Sequence, residues 1–240
     1  MNQKVHDYVE FGVLGMTFNQ MNLRDYETNQ ADFFNDLSEY FFEGRCQEAA
    51  SNGWLGSSTW RAFYGTPKKY KGQIREGLLA AGEVVKTYIS QKGKQWTSIS
   101  EYDQEHRHML ELFKAKLSQS DVGCSSEGTY LKALNICIWH YVLGRGDNSN
   151  SSVRSEVEHL KEFLHPSFDG DVLRGIMGTI RESNLSTCPM KTGWRKGNSS
   201  GWIKSYVDYF NLLTWVRNIL EPHPAIILER FWRMKGCQKP

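Results

Sequence analysis

Two residue pairs have the spacing of a metal-binding helix face. Glu156 and His159 are three apart, and so are Asp103 and His106. On a helix this spacing stacks a carboxylate and an imidazole on one side, as carboxylate-bridged di-metal bundles present their ligands. Such a centre needs further inward carboxylates from two more helices, and the chain shows no pattern for them. Glu156 and His159 lie off the apolar stripe of their segment, so a solvated pair is expected there. His106 falls on the apolar stripe of its segment. The expectation for it is a hydrogen-bonded, partly buried histidine, and an enzyme site near His106 stands as the third functional reading. His108 faces elsewhere, so residues 105–108 are a mixed-face charge cluster and not a His-Glu-x-x-His zinc motif.

The usual catalytic loops are missing. There is no Gly-x-x-x-x-Gly-Lys-Ser/Thr phosphate loop and no Gly-x-Ser-x-Gly elbow. A cysteine–histidine nucleophile pair stays open, because its members need not be close in sequence. Neither a cofactor nor a metal is implied.

The five cysteines, Cys46, Cys124, Cys137, Cys188 and Cys237, include no Cys-x-x-Cys pair, which speaks against a zinc ribbon or thioredoxin-type site. Cys137 sits in an apolar helical pattern and reads as a buried free thiol. The other four fall in loops or near helix ends, where pairing is geometrically easier. Three Asn-x-Ser/Thr sequons, at Asn150, Asn184 and Asn198, matter only in a secretory setting.

Two stretches interleave basic and aromatic residues. Lys68, Lys69, Lys71 and Arg75 open one helix around Tyr70. Arg230, Arg233 and Lys235 close another around Phe231 and Trp232. Lys and Arg neutralise phosphates and aromatic faces stack on bases, which suits single-stranded nucleic acid. An anionic membrane surface would also fit, as would a solvated helix face with its aromatics tucked inward. The net charge of +2 favours none of them. A third lead is Trp54, Trp60, Trp96 and Trp194, which fall in or beside expected loops. Tryptophans there either anchor a protein partner or plug the ends of a helical bundle.

Helical periodicity positions all of these residues. Apolar stripes run through residues 30–43, 68–92, 126–143 and about 201–220. Another follows Thr97, the expected cap, through Tyr102, His106, Met109, Phe113 and Leu117. The 68–92 stripe is Tyr70, Ile74, Leu78, Ala81, Val85 and Tyr88 or Ile89. Gly72, Gly77 and Gly82 lie inside it, and a close packing partner would explain them. The last long stripe is expected through Ile203, Tyr206, Val207, Phe210, Leu213 and Arg217 or Val216. Shorter helices are expected over 59–64, after Ser152, around Val172–Ile180 and over 225–234. No alternating β-branched run appears, so little sheet is expected. No apolar run approaches the roughly 20 residues of a bilayer span. The N-terminus lacks the apolar core of a signal peptide, which implies residence inside a cell or export by another route.

The order Cys46, then Gly53-Trp54, then a helix bearing Tyr70, Ile74, Val84, Val85, Tyr88 and Ile89 resembles modules of malaria-parasite variant surface antigens of the schizont-infected-cell agglutination type. Tyr130–Tyr141 followed by a polar loop is similar to their second helix. The likeness spans about residues 30–145, and of that family's intrahelical cysteines only Cys137 has a counterpart. The resemblance implies a helical module exposed on an infected cell, and it transfers no binding residues.

The fold expected is therefore all-α, about nine helices in two packed lobes, 1–145 and 153–240, joined by the flexible segment 144–152. The function expected is non-enzymatic: an interaction or structural protein acting through an aromatic-rich surface, either a surface-exposed antigen or a subunit of a larger assembly. A protein partner is favoured. A nucleic-acid-binding nucleoprotein or coat-like protein is the alternative.

Overall fold

The computed structural model describes residues 62–65, 71–143, 156–170, 172–173, 189, 200–221 and 224–229. Within them the chain is mainly helical. Four α-helices carry it: α1 (Lys71–Lys92), α2 (Ile99–Gln119), α3 (Glu127–Leu143) and α4 (Tyr206–Leu220). Short 3-10 turns flank them at Gly93–Gln95, Glu158–Glu162, Ser200–Trp202 and Ala225–Glu229. The one pairing of strands is short and antiparallel, β1 (Tyr64–Gly65) against β2 (Val122–Gly123).

Helices α1 and α2 form an antiparallel hairpin through the stripes their periodicity predicts. Ile74, Leu78, Ala81, Val85 and Ile89 are buried on α1, and Tyr102, Met109, Leu110, Phe113 and Leu117 on α2. Each such large side chain contributes about 1.5–3 kcal/mol when fully buried, so the stripes outweigh any single cap. The close approach expected at the α1 glycines is real at Gly77, where an added Cβ would lie 3.0 Å from Val122 Cγ2. Gly82 is also buried, and its carbonyl accepts the Cys137 thiol at 3.8 Å. Gly72 is exposed with nothing within 4 Å. Gly93 ends the helix under Val157 and Leu160, which approach its ideal Cβ to 3.0 and 3.2 Å.

The cap of α2 is Ser98 and not Thr97. Ser98 accepts from the Glu101 amide while the Glu101 carboxylate accepts from the Ser98 amide, a reciprocal capping box. Thr97 adds its own amide and hydroxyl as donors to the same carboxylate. Hydrogen bonding holds Glu101 below the usual carboxylate range.

Helix α3 is the central element. It buries Leu131, Ala133, Leu134, Asn135, Cys137, Ile138, Trp139, Tyr141 and Val142, which together cover most of its circumference, as an all-round apolar helix must. One hydrophobic cluster runs from Phe63 through α1, α2 and α3 to Leu160, Leu164, Phe168, Tyr209 and Leu228. It draws on residues from both sides of segment 144–152.

Four local expectations change. Ala62 is a turn and Phe63 leads into β1, which begins at Tyr64, so these residues are not the end of a helix. The 3-10 turn Glu158–Glu162 replaces an α-helix through Leu160. On α4 the inward residues are Tyr209, Leu212, Leu213, Val216 and Leu220, whereas Val207 is 61% exposed. The stripe through Val207 overlooks Asp208, Asn211 and Thr214, which recur three apart and mark the outward side of this helix. The expected helix over 225–234 begins as a 3-10 turn at Ala225–Glu229. The expected helix at 30–43, the segment 144–152 and the sequons at Asn150, Asn184 and Asn198 lie outside the described residues.

Candidate functional site

The densest set of chemically able side chains is buried where four segments meet. Helix α2 supplies Tyr102, Asp103 and His106, and α3 supplies Asn135 and Trp139. The irregular stretch 164–169 supplies His165, and α4 supplies Tyr206, Tyr209 and Arg217. Asp103 and His106 are three apart on α2 as the sequence indicates, but they take different partners.

Asp103 accepts from His165 Nε2 at 2.7 Å and from both terminal nitrogens of Arg217 at 2.6 and 2.9 Å. The bidentate fork makes this the strong form of an ion pair. Burial pushes the Asp103 carboxyl up, but the hydrogen bonds from His165 and then Arg217, with the charge opposite it, prevail and hold it below the carboxylate range.

His106 spans a second set of partners. Asn135 Nδ2 donates to the Pro166 carbonyl and to the Tyr209 hydroxyl, each at 2.8 Å. Its Oδ1 therefore faces His106 Nε2, at 2.7 Å, and the imidazole proton is assigned to Nε2. The Tyr206 hydroxyl lies 3.2 Å from His106 Nδ1 and 3.2 Å from the Asp103 carbonyl, and its single proton serves both. Tyr209 passes its own proton on to the Pro166 carbonyl at 3.4 Å, and Trp139 Nε1 donates to the His165 carbonyl at 2.9 Å.

The two imidazoles are 4.1 Å apart between ring centres. His106 is 0% and His165 1% exposed. Burial depresses both: His165 falls to about 4 in spite of Asp103, and His106 falls well below its ordinary value, with His165 the second cause. Both rings are neutral at pH 7, so the network holds one anion, Asp103, and one cation, Arg217. His165 Nδ1 has no hydrogen-bond partner.

A second buried carboxyl lies next to this set. Glu229 is 0% exposed and accepts from the Ser167 amide at 2.6 Å. Burial, reinforced by the nearby Asp169 charge, raises it well above the carboxylate range. Asp169 itself pairs with Lys132 at 3.5 Å.

These groups are spent on one another. Neither imidazole has an edge facing solvent, and the nitrogens that do bond are taken by protein partners. What the arrangement does is join four segments far apart in sequence, as buried polar networks do, although His165 Nδ1 and Arg217 Nε stay without a hydrogen-bond partner. Among the described residues, no group of three or more His, Cys, Asp and Glu side chains is placed to hold a metal ion.

The other leads from the sequence fall as follows. Trp96, read as a loop tryptophan that could anchor a partner, is only 5% exposed and packs against Tyr88 and Tyr102; it plugs the end of the α1–α2 hairpin. His159 donates to the Trp96 carbonyl at 2.9 Å, while Glu156 lies 4.0 Å from Lys94, so that pair is divided between two partners on the surface. Lys71 opens α1, and Arg75 is half-buried one turn later. Cys124 and Cys137 are free thiols, which burial pushes up to about 11 and 12, so both are weak nucleophiles. Trp54, Trp60, Trp194, Lys68, Lys69, Arg230, Arg233 and Lys235 lie outside the described residues, as do Cys46, Cys188 and Cys237.

Sequence reasoning missed His165, Asn135 and Glu229, and it placed Arg217 or Val216 on the inward stripe of its helix without a partner for the guanidinium. Of the missed residues only Asn135 carried a signal, a polar residue inside an otherwise apolar helix. Comparison with known family models, curated proteins and solved structures finds no match for this chain.

Proposed function

We propose that this protein is a non-enzymatic helical scaffold whose partner is another protein, bound across the outer face of α4. One observation carries this. The exposed positions of α4 are Val207, Asp208, Asn211, Thr214 and Asn218, a face with a single charge. Beside them the half-buried rings of Tyr206 and Phe210 stack at 6.2 Å. The exposed positions of α2, by contrast, include Glu101, Arg107, His108 and Glu111. Interfaces between proteins are depleted in charge at their centre and enriched in aromatic residues. The buried polar cluster supports the same view, because residues able to do chemistry are used to hold the fold.

The proposal covers two versions, a surface-exposed antigen and a subunit of a larger assembly. Trp54, Trp60 and Trp194 remain partner anchors under either, and the two-lobed arrangement of about nine helices goes with it. No helix among the described residues is long and apolar enough to cross a membrane.

The test is site-specific photocrosslinking in the native setting, with the probe at Val207 and, as a control, at Glu111. A discrete protein adduct from position 207 that position 111 lacks supports the proposal. Nucleic-acid adducts from a further probe at Arg75, with no protein adduct from position 207, would replace it with the nucleic-acid alternative. No adduct at position 207 would overturn it.

A further inference from the structure

The buried cluster is built in a way that makes it sensitive to acid. Its charges already balance, because Arg217 neutralises Asp103 and both imidazoles are neutral. A proton added to His165 must go to Nδ1, which has no acceptor within reach. A proton added to His106 must go to Nδ1, where it would face Tyr206, and the new charge would stand 4.1 Å from the other ring. Either step leaves an uncompensated charge in a site without water access, and burying such a charge is costly.

The groups facing the two rings are few. From α2 they are Tyr102, Asp103 and, over the Tyr206 ring, Arg107. From α3 they are Asn135 and Trp139, and from α4 Tyr206, Tyr209 and Arg217. Beyond the stretch 164–169 come Glu229 on the Ser167 amide and the Asp169–Lys132 pair. Asp103 and Arg217 stay ionised in mild acid, the tyrosines stay neutral, and burial favours the protonated form of Glu229. The imidazoles are the groups that gain positive charge as pH falls from neutrality towards 4. The stretch that carries His165 is also strained, since the buried Phe168 holds a φ of 42°, which L residues seldom adopt. Its neighbours hold it there.

We propose that the Asp103–His165 and His106–Asn135 contacts form an acid-released clasp: at neutral pH they bind residues 164–169 and α4 to α2 and α3, and acidification frees that stretch while the α1–α2 hairpin stays packed. The hairpin rests on apolar stripes and carries no other buried histidine among the described residues.

The experiment follows the indole proton of Trp139, which the His165 carbonyl holds, in the full chain by NMR, with its signal assigned through Trp139→Phe. Its solvent protection, corrected for intrinsic exchange, should fall by about tenfold per pH unit for one linked proton and up to about a hundredfold for two between pH 6 and 4.5. The amides of Leu78 and Val85 on α1 should remain protected. The H106Q/H165Q variant keeps an Nε2 donor at both places and cannot titrate, so its Trp139 protection should not change with pH. Unchanged protection in the wild type, the same loss in the variant, or loss together with Leu78 and Val85 would each overturn the clasp. Should the variant not fold, the ring-proton titrations of wild-type His106 and His165 decide: both silent down to about pH 5 supports it, and either ring titrating near its ordinary 6.5 overturns it.

Discussion

Arg217 grips both carboxylate oxygens of Asp103, at 2.6 and 2.9 Å, across 114 positions of sequence. The pair ties α4 to α2 with the side chains 18% and 11% exposed. A pair this sheltered is expensive to break from one side, because the surviving charge keeps its desolvation cost without its partner.

Asp103→Asn is expected to lower unfolding stability by about 3 kcal/mol, read as a lower urea midpoint with an unchanged slope. Replacing both members, as in D103L/R217M, should recover much of that loss. A double variant as unstable as the two single variants added together would show that the pair does not act as a unit.

The stability of the whole protein should fall in mild acid. The folded-state value of His165, about 4, lies below the ordinary 6.5, so between those values the unfolded chain binds the extra proton. Stability is therefore fully present above pH 6.5 and is lost as pH falls towards 4, by roughly 3 kcal/mol for this residue at about 1.4 kcal/mol per unit. His106 is shifted in the same direction and adds to the loss. Urea unfolding at a series of pH values checks this in the Glu229→Gln variant, where the opposing linkage of Glu229 is absent, and a flat profile from 7 to 4 there would contradict it.

Glu229 acts with the opposite sign. Its carboxyl is raised by burial, so the folded protein holds a proton that the unfolded chain releases above about pH 4.5, and stability is lost as pH rises. Glu229→Gln retains the acceptor for the Ser167 amide and removes this linkage. The variant should gain on the wild type with rising pH, by about 1.4 kcal/mol per unit within the linked window, and its acid loss should be steeper. Parallel pH profiles for the two proteins would disprove the assignment.

The α1 glycines should respond in opposite directions. Gly72→Ala meets open space near the start of the helix and should stabilise by about 0.5 kcal/mol. Gly77→Ala places a methyl 3.0 Å from Val122 and 3.3 Å from Ser120, and should destabilise by about 1–2 kcal/mol despite the better helix propensity. Thermal unfolding of the two variants side by side gives the sign of each.

The orientation of α4 can be tested without a partner. Val207→Thr should change stability by less than about 0.5 kcal/mol, since the side chain is exposed. Tyr209→Phe strands one Asn135 donor and should cost about 1–2 kcal/mol. Equal effects would mean that the helix is turned differently.

By itself the sequence determined the helical class and the inward faces of α1 and α2. Their apolar residues recur at one period with polar residues between, and only one rotation buries them. It also marked His106 as a buried, hydrogen-bonded histidine, because that residue shares the stripe of Tyr102, Met109 and Phe113. It misplaced the inward face of α4, where a stripe through Tyr206, Val207 and Phe210 overlooks the polar line Asp208, Asn211, Thr214 and Asn218 that marks the outward side. Packing chose, and it turned inward the tyrosine whose hydroxyl could reach Asn135 and Pro166. Trp96 was ambiguous for a different reason: a residue between two helices is a loop in sequence, yet a hairpin closes over it. The cluster of Asp103, His165, Asn135 and Arg217 was decided by tertiary structure alone. Its contacts join residues 29 to 114 positions apart, and no local period records which distant side chain will neutralise a buried charge. The shifts of His165 and Glu229 follow from the same packing, because the loss of water around each group exists only once the segments have met.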